Sequence, residues 1–131
     1  MAFEMTFDRK IGTIKVSFDG FITREQVQNL SGELTRFAEE RNVRSPFNLI
    51  LDFLRTKYMS SSAMDEFRLF HADMMKKNLY RALALVYFTS TGEEQIGKTL
   101  MGFKDRGIIA HFPNDQDASL WIASLKKGEA V

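Results

Sequence analysis

The chain has 131 residues, 44% of them hydrophobic, and its 18 basic side chains nearly balance 17 acidic ones. That is apolar material for one ordinary core, while a net charge of +1 gives no long-range field to hold nucleic acid or an anionic membrane. The lack of cysteine excludes disulfides and thiolate-held metals, and no apolar run has signal-peptide or membrane-spanning length, so the expectation is a cytoplasmic, single-domain protein over residues 1–131 with no cofactor.

Apolar and polar residues alternate in "FEMTF" (3–7) and "TIKVSF" (13–18), with the polar "DRKIG" between them. This pattern predicts two antiparallel strands, each with one wet face. Thr23 then offers a helix cap, and Val27, Leu30, Leu34, Phe37 and Ala38 recur at helical spacing, which predicts an amphipathic helix over 24–41. "NVRSP" ends it. "FNLILDF" (47–53) is a nearly continuous apolar run, as expected of a strand buried on both faces. Asp52 is expected near its end, and a short loop carrying Tyr58 and Met59 into the core is expected after it. Three serines, Ser60, Ser61 and Ser62, then open a second helix, in which Ala63, Met64, Phe67, Phe70 and Met74 form a stripe. Ser62-Ala63-Met64-Asp65 fits the capping pattern [ST]-x-x-[DE]. Asp65 and Glu66 read as a solvated helix start.

"RALALVYF" (81–88) predicts another central strand. The next stretch, Gly92 to Thr99, fits the phosphate-loop pattern G-x-x-x-x-G-K-[ST]. Its context argues against nucleotide binding. Glu93 and Glu94 would repel a polyphosphate, and Ile96 is in phase with Leu100 and Phe103, so helical backbone is expected where a phosphate cradle needs an open loop. A helix over 92–104 is the reading adopted. "GIIAHF" (107–112) is a further strand, and Ala118, Trp121, Ile122 and Leu125 mark a last helix. The order ββαβαβαβα implies a mixed, mainly parallel α/β sheet with an N-terminal antiparallel hairpin and right-handed crossovers.

The stretch "LILDFLRTKYMSSSAMDEF" (49–67) resembles the signature of STAS domains, the family of sulphate-transporter and anti-sigma-factor-antagonist domains. Asp52 falls on the family's strand aspartate, Tyr58 and Met59 on its two loop hydrophobics, Ser61 and Ser62 on its serine pair, and Met64 on its leucine. "IKVSFDGFITREQV" and "GIIAHFPNDQDASLWI" extend the resemblance over nearly the whole chain. The resemblance implies a regulatory, non-enzymatic bacterial module that binds a protein partner, a serine kinase or anti-sigma-like regulator. It also implies that phosphorylation of the second serine, Ser62, with Ser61 as the neighbouring candidate, releases that partner. Asp52, Thr23 and Ser60 would support the site, and Met59, Met64, Phe67 and Leu100 would line the partner surface. Three positions depart from the pattern: Ser60 stands where aspartate is usual, Ala63 where glycine is usual, and Thr23 where the antagonists often carry an acidic residue. A second branch of the family, similar to CRAL-TRIO lipid-transfer domains, implies the alternative of an apolar small ligand held between helices 60–77 and 92–104.

Serine catalysis is disfavoured from the sequence. The two histidines are His71 and His111. His71 lies more than two turns from Ser62, too far to act as its base, and His111 reads as a buried or edge-strand residue. Two lone histidines make no metal site.

Overall fold

The computed structural model describes residues 3–87 and 108–128. Five strands form one sheet in the order β1 (Phe3–Asp8), β2 (Thr13–Ile22), β3 (Phe47–Met59), β4 (Tyr80–Val86) and β5 (Ile108–Phe112). β1 is antiparallel to β2, and every other pairing is parallel. Among the described residues three helices accompany them: α1 (Arg24–Glu40), α2 (Ser61–Lys76) and α3 (Asp115–Gly128). The mixed sheet and its opening hairpin match the architecture expected from the sequence. The expected helix over 92–104, the phosphate-loop match at 92–99 and Leu100 lie outside the described residues.

Strand alternation sorts the core into two layers. Ile14, Val16 and Phe18 of β2, with Leu49, Leu51 and Phe53 of β3, face α1 and α2. They meet Val27, Leu30 and Leu34 from α1 and Ala63, Phe67, Phe70 and Met74 from α2. Ile50, Ala84 and Val86 point the other way, onto Ala118 and Ile122 of α3. The sheet is thus sandwiched, with α1 and α2 on one side and α3 on the other. Aromatic rings fill the first layer: Phe18 stacks on Phe53 at 4.9 Å, and Phe67 meets both edge-on at 5.5 Å.

Both α1 and α2 end in the same device. Asn42 and Asn78 take left-handed φ values of 57° and 54°, a region asparagine tolerates better than most residues. The amide of Asn42 donates to Glu39 and that of Val43 to Ala38; the amide of Asn78 donates to Met75 and that of Leu79 to Met74. These are paired Schellman bonds, which satisfy carbonyls that a helix end would otherwise leave open. Each turn then feeds the next strand.

One difference from the sequence reading shapes the functional end of the molecule. No loop separates Asp52 from the serines: β3 continues unbroken through Met59, and β2 continues to Ile22 beside it. The two strands leave the sheet as a ribbon past the last residues of β4 and β5, which pair no further than Val86 and Phe112. The ribbon carries register shifts at Ser17/Asp19 and Gly20/Phe21. Gly20 has φ +78° there, a conformation that glycine adopts at no steric cost. Because much of this ribbon is wet, it lacks the apolar pattern that marks a strand in sequence.

Candidate functional site

The last residues of the ribbon, Ile22 and Met59, are paired across β2 and β3. Each is followed by a helix cap, Thr23 before α1 and Ser60 before α2. Adjacent strands lie about 4.8 Å apart, so the two helices start side by side and run along the same sheet face. Thr23 forms a full capping box: its hydroxyl accepts from the Gln26 amide at 3.3 Å, and its own amide donates to Gln26 Oε1 at 2.8 Å. Its capping role is as the sequence indicates.

At α2 the cap is not where the sequence pattern put it. Ser60 is in extended conformation (φ −69°, ψ 159°), and its hydroxyl accepts from the Ala63 amide at 3.1 Å. Its carbonyl accepts the first helical bond, from Met64, at 3.0 Å. The match at Ser62 is therefore unused: Asp65 is exposed and faces Arg68 at 3.5 Å. The choice follows from helix phase, since capping at Ser60 turns Ala63, Phe67, Phe70 and Met74 into the core. Ser61 and Ser62 fall in the first turn, and both are exposed. The Ser62 hydroxyl lies 3.2 Å from that of Ser60.

The two helices are tied near this end by Glu66, which accepts from Arg24 Nε and from Gln28 Nε2, each at 3.3 Å. Its side chain is only 16% exposed, so it is a bridge between helices and not the solvated residue expected. Farther along, the Ser31 hydroxyl meets Asp73 at 3.4 Å.

Other expected site residues sit elsewhere. Asp52 does not reach the serines. Leu51 and Phe53 face α2, so alternation sends Asp52 to the α3 side. There Oδ1 accepts from the Leu54 amide at 2.9 Å, and Oδ2 lies 3.9 Å from Lys15 Nζ, which also pairs with Asp115. Phe67 is a core residue, 1% exposed, and cannot touch a partner. Met59 is also buried and Met64 is half-buried against the core. Tyr58, expected inside, is 59% exposed. It lies beside Phe21, itself 66% exposed, with ring centroids 6.2 Å apart. This surface aromatic pair immediately before the serines was missed in sequence. The register Phe21↔Tyr58 is a product of the two bulges and could not be counted from spacing.

His71 is buried on α2, hydrogen-bonded through its ring to the Tyr80 hydroxyl. Burial lowers its pKa to about 4 and raises that of Tyr80, so both are neutral near pH 7. His71 is nine residues from Ser62, or about 13 Å along the helix axis. His111 donates from Nε2 to the Tyr87 carbonyl at 2.8 Å and stacks on the Tyr87 ring at 3.8 Å. Among the described residues no group of three His, Cys, Asp or Glu side chains is placed to hold a metal, and no helix is long and apolar enough to cross a membrane.

No family model and no curated protein matches the chain. Solved structures do. An uncharacterised protein from Shewanella loihica with a SpoIIAA-like fold superposes with a TM-score of 0.65 at 15% identity, over 92% of each chain. The unphosphorylated form of the anti-sigma factor antagonist SpoIIAA gives 0.61 at 15% identity, over 92% of this chain and 97% of its own. This chain has the SpoIIAA-like, STAS-like fold. An anti-sigma factor antagonist from Mycobacterium paratuberculosis is similar too, with a TM-score of 0.57 at 13% identity over 92% of both chains. The fold is therefore the one the resemblance at 49–67 implied, although the 54–59 part of that stretch is strand and not loop.

Proposed function

We propose that this chain is a non-enzymatic protein-interaction module of the anti-sigma-factor-antagonist type. Its partner surface would consist of the exposed first turn of α2 and the Phe21–Tyr58 pair, and phosphorylation of Ser62 would control it. The observation that carries this reading is the division of labour among the serines. Ser60 caps the helix, so the exposed hydroxyls of Ser61 and Ser62 are not needed to hold it.

The chemistry of a switch follows from position. A phosphate on Ser62 would add nearly two negative charges at the start of α2. Open amides and the positive end of the helix dipole stabilise an anion there, and α1 begins alongside. The Ser60 hydroxyl is within reach to donate to it. The fold therefore tolerates the group, while an apolar partner resting on Phe21 and Tyr58 would meet a doubly charged, hydrated neighbour and leave. Among the described residues no histidine stands near Ser62, His71 being nine residues along the helix, and this supports a role as phosphate acceptor over one as nucleophile. The apolar-carrier alternative loses a wall, because Phe67 is packed among Phe18, Phe53 and Phe70.

Affinity purification from the native cells, with Ser62→Ala and Ser62→Asp forms compared by quantitative mass spectrometry, tests the reading. Proteins retained by wild type and Ser62→Ala but lost with Ser62→Asp are expected. Identical retention by all three forms would defeat the switch.

A further inference from the structure

β1 is an edge strand: among the described residues it pairs only with β2. Edge strands offer a row of free amides and carbonyls, and proteins commonly blunt them with charged side chains, lysine above all, with proline or with a bulge. β1 has no lysine, proline or bulge, and its two charged residues, Glu4 and Asp8, are both acidic. Its sequence is FEMTFD, and its register with β2 runs from Phe3↔Phe18 to Asp8↔Thr13 without a shift.

Beside it lies a groove of about 330 Å³ between β1 and α1. Phe3, Glu4 and Met5 all line it. Consecutive strand residues point to opposite faces, so a groove touching all three borders the strand's open edge. Phe37 of α1 supplies the far apolar wall, with Arg41 lying 3.8 Å over its ring. The charges at the groove are unequal. Glu4, Glu33 and Glu40 face one guanidinium, Arg36, which is already paired with Glu33 at 3.4 Å. Arg41 lies 3.9 Å from Glu40. Asp8 extends the acidic side along β1, on the same exposed face as Glu4.

We propose that this edge is a second interaction surface, taking an extended segment of a partner protein in which apolar residues alternate with Lys or Arg. Backbone hydrogen bonds would add the segment to the sheet, the mode in which alternate side chains carry specificity. Its apolar side chains would enter the groove over Phe3, Met5 and Phe37. Its basic side chains, on the other face, would sit across from Glu4 and Asp8, where opposite charges on neighbouring strands attract. The same carboxylates argue against a second copy of this chain, whose β1 would bring Glu4 and Asp8 against their own kind. This surface is distinct from the serine site and does not depend on it.

The test uses the whole chain and a labelled hexapeptide alternating lysine and valine, with its glutamate–valine counterpart as control. Binding is followed by fluorescence anisotropy and by hydrogen exchange at residues 3–8. The lysine peptide is expected to bind and to protect β1. Because Glu4 and Glu40 are exposed, a Glu4→Lys, Glu40→Lys double variant should melt as wild type does. It should lose about tenfold in affinity for the lysine peptide and gain affinity for the glutamate peptide. Absence of binding, equal binding of both peptides, indifference to the charge reversal, or peptide binding without β1 protection would each overturn the proposal. So would concentration-dependent protection of β1 without peptide, which would identify the occupant as a second copy.

Discussion

Replacing the three serines one at a time separates capping from signalling. Ser60→Ala removes the acceptor for the Ala63 amide, a bond of 3.1 Å at the first turn of α2. Loss of such a cap costs about 1 kcal/mol. For a chain of this length that corresponds to a melting temperature lower by about 3–5 °C. Ser61→Ala and Ser62→Ala remove exposed hydroxyls with no capping bond, so each should stay within about 0.5 kcal/mol of wild type. Ser62→Asp places a negative charge in the first turn and should stabilise by about 0.3–1 kcal/mol at low ionic strength. The gain should shrink as salt is added. Urea and thermal unfolding followed by circular dichroism give all four values. A cost for Ser62→Ala equal to that of Ser60→Ala would refute the reasoning, because Ser62 would then be holding the helix. A destabilised Ser62→Asp would show that the first turn does not accommodate an anion.

Three further outcomes follow from the packing. Phe67→Ala removes a ring that is 1% exposed among three other phenylalanines and should cost about 3–5 kcal/mol in equilibrium unfolding; a near-neutral result would contradict its place in the core. Phe21→Ala and Tyr58→Ala, at largely exposed positions, should change stability by less than about 0.5 kcal/mol each while weakening retention of the partner in the affinity experiment. His71 introduces a pH dependence: its folded pKa of about 4 lies below the unfolded 6.5, so the unfolded chain takes up a proton first as pH falls. Stability from this group is complete above about pH 6.5, declines at up to about 1.4 kcal/mol per pH unit toward pH 4, and changes no further below that. His71→Phe, unfolded across the same range, should flatten that slope, and an unchanged slope would assign it to other groups.

The parts of this molecule that were legible in sequence are those where burial imposes a period. Helix α1 was readable from Val27, Leu30 and Leu34, and β3 up to Phe53 from its apolar run, because both pack against neighbours along their length. The ribbon beyond Phe53 was not readable. It is wet on much of its surface and bulged at two places, so neither alternation nor apolar continuity marks it. That one omission explains three misplacements. With no loop after Asp52, Tyr58 stays on a strand and points outward. Asp52 is committed by alternation to the α3 side. The chain leaves the sheet directly at Ser60, so the first serine becomes the cap. The local capping pattern favours Ser62 because Asp65 stands three residues on, but burial of Ala63 and Phe67 fixes the helix phase more strongly than one exposed carboxylate could. Glu66 reads as solvated in sequence for a similar reason: its partners, Arg24 and Gln28, are 42 and 38 residues away.

On the reading proposed above, Ser62 is a phosphate acceptor on a fold that does not need its hydroxyl. Tandem mass spectrometry of the intact chain from its native cells, sampled through growth and starvation, tests it most directly. A singly phosphorylated species with the phosphate on Ser62, present in some conditions and absent in others, is the predicted result. A chain that carries no phosphate on this first turn in any condition, or carries it only on a residue remote from α2, would contradict the account.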